Sequence, residues 1–154
     1  MNSSFLKVRR LPYEEPHHTQ LEIVASNGSF TGSTDIYCNV SDLSDIGHAL
    51  QAFPKSIPDE YKYEYGSSDP VVRFYRHFVF RVYTVSSWGK CALQLSMNQN
   101  ETEPHEGACL FSMPVEPASI NRLGELFLAF SKLQHLEFKW VPNTDIAELF
   151  EQCQ

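Results

Sequence analysis

The chain has 154 residues, 42% of them hydrophobic, 13% aromatic and 20% charged, with a net charge of −7. That length suffices for one domain that buries its own core without metal or disulfide support, and the composition excludes a disordered chain. The negative charge argues against a nucleic-acid surface, and no run approaches the ~20 apolar residues of a membrane span.

Residues 1–18 read as an irregular segment ending in Pro16-His17-His18. Basic residues follow its few apolar ones and no apolar core is present, so it does not read as a signal peptide and a cytoplasmic location is expected. Asn27-Gly28 between two β-rich runs predicts a hairpin with strands near 19–26 and 29–38. Ser41 then suits a helix N-cap, Asp42 and Asp45 suit its positive end, and Pro54 ends it. Tyr61, Tyr63 and Tyr65 alternate with charged residues in a strand expected near a sheet edge. Val71 to Val85 is the longest strand signal, with Arg76 interrupting its apolar face. Alternation marks further strands through Cys91–Met97 and Cys109–Val115, separated by a polar loop. Glu116-Pro117 opens a second helix, Leu136–Trp140 reads as a last strand, and Asp145 with Glu148 has the spacing of a capped short helix.

The two main helices resemble each other. Hydrophobic positions coincide at 43/120, 46/123, 49/126, 50/127 and 53/130, and Gly47 falls on Gly124. Glycine inside a helix costs about 1 kcal/mol relative to alanine, so a packing reason is expected. The reading is that each glycine lets its helix approach a sheet closely; internal duplication and convergence both account for the likeness. The expected fold is α+β: a single antiparallel, meander-like sheet of six or seven strands, two main helices on one face and a short C-terminal helix. It forms one domain over 19–154, with 135–154 packed on it as an extension.

Charge is segregated along the chain. Leu11–Pro54 carries six acids and no Lys or Arg, and Cys91–Asn121 carries Glu101, Glu103, Glu106 and Glu116 with none, whereas Lys55–Lys90 is net basic. A solvated acidic face or a docking surface for a basic partner both fit that pattern. Reaction signatures fail: there is no G-x-S-x-G, no glycine-rich phosphate cradle, and no histidine pair at metal-ligand spacing. Cys38, Cys91, Cys109 and Cys153 are widely spaced and read as reduced, small hydrophobes. No metal, no cofactor and no catalysis are expected.

Four stretches carry a likeness: Ala25 to Gly32 (A-S-N-G-x-F-x-G), Ala49 to Pro54 (A-L-x-x-F-P), Gly89 to Leu93 (G-K-C-A-L) and Glu116 to Gly124 (E-P-A-S-x-N-R-L-G). Over roughly residues 20–130 the chain resembles small bacterial proteins associated with immunity to polymorphic, cell-wall-associated toxins. The resemblance implies a protein that neutralises a cognate, basic toxin by direct binding. Candidate contacts are Asp42, Asp45, Glu101, Glu103 and Glu106, with Tyr61, Tyr63 and Tyr65 as anchors. The alternatives are a small-molecule binding protein or enzyme that holds an anionic ligand with Arg73, His77, Arg81 and Tyr83 on an open sheet face, or a homo-oligomeric structural protein. Nucleic-acid and membrane partners are not expected, and a monomer or homodimer is.

Overall fold

The computed structural model describes residues 3–72 and 74–153. Nine strands and two helices follow in the order β1 (Ser4–Leu11), β2 (His18–Asn27), β3 (Thr31–Asn39), α1 (Val40–Gln51), β4 (Glu60–Gly66), β5 (His77–Thr84), β6 (Cys91–Asn98), β7 (Ala108–Val115), α2 (Pro117–Phe130), β8 (Glu137–Trp140) and β9 (Ala147–Phe150). They form two antiparallel sheets, ordered β3-β2-β1-β8-β9 and β4-β5-β6-β7, and this corrects the expected single sheet.

The cause of the difference lies at the N-terminus. Residues 4–11, expected to be irregular, form a strand inside the first sheet, pairing β2 on one side and β8 on the other. Leu6 and Val8 are buried on its inner face, and Arg10 takes the third inward position. A charged residue at a core position hides the apolar alternation. With β1 in place the first sheet is completed by the chain's own C-terminus, and β4 starts a second sheet.

Other elements depart from expectation in smaller ways. The hairpin after β2 turns on Gly28-Ser29, with positive φ only at Gly28, as a turn with glycine at its first central position requires. The strand expected from Val71 begins only at His77. The preceding loop is fastened by Asn100, whose amide donates to the carbonyls of Ser67 and Phe74, and by Arg76, which donates to Gln99 O. The residues after Asp145 pair antiparallel with β8 as β9 rather than forming a helix. A turn or two of helix there could not sustain itself without a packed face. At α1 the N-cap is Asn39, two residues before Ser41, and Asp42 Oδ2 accepts its N–H at 3.2 Å.

The paired glycines answer to each other rather than to a sheet. A Cβ on Gly124 would lie 2.8 Å from Gly47 O, and one on Gly47 would lie 2.9 Å from Gly124 O. The contact is reciprocal: α1 and α2 cross backbone against backbone, each glycine seated on the other's carbonyl. Both sheets and both helices share one core, in which Phe127 meets Phe80 of the second sheet and Phe138 of the first edge-to-face.

Candidate functional site

Two terminal strands from different sheets face each other across a groove of roughly 710 Å3. Tyr37, Cys38 and Asn39 of β3 and Tyr63, Glu64, Tyr65 and Gly66 of β4 line it, closed by Tyr13 and His18 at one part and Phe74 at another. Alternate side chains of a strand point to opposite faces. A lining of consecutive residues therefore means that the groove runs along strand edges, not over a sheet face. Its size is that of an ordinary ligand site.

Aromatic rings follow one another in the groove and beside it, where Tyr75 and Asp35 lie outside its lining. Tyr13 and Tyr37 have centroids 5.4 Å apart, Tyr37 and Tyr75 5.9 Å, and Tyr65 and Phe74 5.3 Å. Tyr13, Tyr37, Phe74 and Tyr75 are exposed, which is unusual for four neighbouring rings. Carboxylates stand among them: Asp42 accepts from Tyr63 Oη at 3.2 Å, and Asp35 accepts from Tyr75 Oη at 2.8 Å. Glu64 lies 2.7 Å from His77 Nε2, and that hydrogen bond holds its carboxyl below the usual range.

The tyrosines report the local field. Burial first, then the charges of Asp45 and Asp42, push Tyr61 from its ordinary value up to about 12. Burial, then the neighbouring Cys38 and Asp42, push Tyr63 further in the same direction. Tyr75 is raised chiefly by its bond to Asp35. Every resolved tyrosine shift is upward, and carboxylates contribute to each. Burial, the largest cause at Tyr61, Tyr63 and Tyr65, disfavours any charge; only the carboxylate part of these shifts marks a negative field.

The expected site residues separate into three places. Asp42 and Asp45 do meet Tyr61 and Tyr63, but these tyrosines are half-buried against the core and supply walls more than projecting anchors. Glu101, Glu103 and Glu106 lie in the loop between β6 and β7, where Glu101 pairs with Arg76 at 3.3 Å. His77, Arg81 and Tyr83 sit on β5, already partnered: Arg81 binds Glu60 at 2.8 Å and stacks on Tyr83 at 3.9 Å, while His77 bridges Ser68 and Glu64. Their charge is taken up locally, so they do not converge on an anion; Arg73 lies outside the described residues. Tyr13, Asp35, Tyr37, Phe74 and Tyr75 were not singled out as site residues by sequence: Tyr13 falls in the segment expected to be irregular, and the other four fall in expected strands, although Phe74 and Tyr75 lie in the loop before β5.

No family model matches the sequence, and no curated protein matches it, so the resemblance to immunity proteins has no family or homologue behind it. Among solved structures, the chain is similar to the plant transcriptional regulator PBF-2 at 10% identity, with a TM-score of 0.46 over 85% of this chain and 76% of that one. It is similar to WHY1 from Arabidopsis thaliana at 11% identity, with a TM-score of 0.47 over 85% of this chain and 84% of that one. Of these two structures, one is described as a plant transcriptional regulator and neither as an immunity protein. The toxin-neutralising reading and the exclusion of nucleic acid as a partner are therefore not carried forward. At such identities and scores the likeness assigns no ligand and no residue to this chain. Among the described residues, no helix is long and apolar enough to cross a membrane.

Proposed function

We propose that the protein is a non-catalytic binding module whose groove between β3 and β4 takes a cationic organic guest. The observation that carries the reading is the combination of exposed rings and carboxylates on one concavity. An ammonium or guanidinium group over a tyrosine face gains about 0.5–2 kcal/mol depending on desolvation, and nearby carboxylates add attraction and steering. A phosphate chain entering the same groove would meet Asp42 and Glu64. The free thiols of buried Cys38 and Cys91 accord with a reducing, cytoplasmic setting.

The reading is tested by titrating the protein with spermine and with arginine amide, following chemical shifts of the groove residues. Binding is expected at low salt, weakened by salt and weakened about tenfold by Asp42→Asn or by Tyr37→Ala. Shifts confined to other surfaces, or a single-stranded oligonucleotide that binds the groove while both cations fail, would overturn it.

A further inference from the structure

We infer that the occupant of the groove is an extended peptide with basic side chains, added as a strand to the free edge of β4. This deepens the groove reading and rests on it. The two sheets end in four terminal strands: β3, β9, β4 and β7. A terminal strand offers unpaired N–H and C=O groups to any passing chain, and proteins block such edges.

Three of the four are blocked here by different devices. β7 carries Pro114, which has no N–H to offer. β9 is four residues long. β3 is closed toward its C-terminal end: the Asn39 N–H donates to Asp42 Oδ2 at 3.2 Å, and Tyr65 of β4 interacts with the Tyr37 backbone. β4 has seven residues and no proline. Among the described residues its outer side has no strand, and beyond its ladder to β5 its N–H groups make one bond, from Glu60 to Asp59 Oδ1 at 2.8 Å.

The open edge is also the one that lines the groove. Tyr63 to Gly66 contribute to it consecutively, so a guest lying there runs alongside backbone. Main-chain hydrogen bonds to the edge would supply affinity, and pockets for alternate side chains would supply selection. The groove's chemistry says which side chains those are. On one side Tyr13, Tyr37 and Phe74 present rings, and Asp42 and Glu64 present carboxylates, so Lys and Arg at alternate positions complement both.

Calorimetric titration of the intact protein with three probes separates this from the simpler reading. The probes are a seven-residue peptide with lysine at alternate positions, the same peptide N-methylated at every second backbone nitrogen, and spermine. Strand addition predicts that methylation weakens binding at least tenfold at unchanged charge, with slowed amide exchange in residues 61–66 on adding the unmodified peptide. Equal affinity for both peptides overturns strand addition and leaves the cationic groove standing. Failure of all three probes removes both. Tight binding of a single-stranded oligonucleotide to the β4 edge, in preference to the peptide, overturns the choice of occupant.

Discussion

Asn121 carries its amide across to a different helix. Its Nδ2 donates to Leu50 O at 2.8 Å, to Phe53 O at 2.9 Å and to Gln51 O at 3.2 Å, adding a side-chain donor to carbonyls at and just beyond the C-terminus of α1. Such groups cost about 1–3 kcal/mol when buried and unpaired, so Asn121→Ala should destabilise the fold by about that much in urea unfolding, with an unchanged m-value. Gly124 is decided by the same contact. In an isolated helix Gly→Ala stabilises by about 1 kcal/mol, but here the added methyl would meet Gly47 O at 2.8 Å and Gln51 N at 2.9 Å, both backbone atoms. Gly124→Ala is therefore expected to reverse sign and cost about 1–3 kcal/mol, as overpacking does. The equivalent change at Gly47 meets Leu128 Cγ at 2.6 Å and Gly124 O, again a backbone atom, at 2.9 Å, and should cost about as much. Of the residue-scale features, sequence comparison of the two helices found both glycines. It assigned them to a sheet because periodicity shows which face of a helix is buried but not what buries it. Asn121 stood within a quoted motif, yet a side chain that caps a helix 70 residues away leaves no local signature.

Among the elements, β4 joins the core to the groove, and its tyrosines make that junction sensitive to alkali. Tyr61 titrates at about 12 in the folded chain and at its ordinary 10.0 when unfolded. Between these values the unfolded state has released a proton that the folded state still holds, so stability is full below pH 10 and falls as pH rises toward 12. Tyr63 shifts the same way and extends the decline. Urea unfolding on either side of pH 10 should show this loss, and Tyr61→Phe should reduce its slope. Asp42→Asn should lower the Tyr61 value only modestly, since burial is the larger cause, and a collapse to the ordinary value would show that the field dominates instead. The strand itself was legible, as were the hairpin strands and both main helices, because each repeats an apolar residue at the period of its element, and the loop before β7 was legible because it has no such repeat. β1 was not legible, with Arg10 inside; nor was β9, whose four residues are too few for any period to register.

Closure of the first sheet by the chain's two ends governs the molecule as a whole. Leu6 of β1 pairs with Trp140 of β8, and Val8 with Phe138. Arg10, 6% exposed, donates to both oxygens of Glu15 at 2.5 and 2.7 Å and to the carbonyls of Leu133 and His135, so a buried charge is shared between the N-terminal strand and the segment leading into β8. Such a pair adds little stability over an apolar pair but is costly to break on one side. Glu15→Ala should thus cost about 3–5 kcal/mol, with much of that recovered when Arg10→Leu is added, because the stranded charge is then gone. The reading of 135–154 as an extension packed on a finished domain is what this topology opposes: β1 lies between β2 and β8, and without β8 it is an edge with its inner face open. The two tryptophans make the consequence measurable. Trp140 is fully buried with its Nε1 on Ser119 O at 3.1 Å, whereas Trp88 is 89% exposed. In a Trp88→Phe background, fluorescence reports Trp140 alone, and its red shift in urea should coincide with the loss of secondary structure in one transition. Trp140→Ala should cost about 3–5 kcal/mol, as removal of a large core aromatic does. A variant that loses only the signal of the C-terminal strands, while the second sheet and the helices unfold later and independently, would show that the ends are fastened onto the core and not part of it.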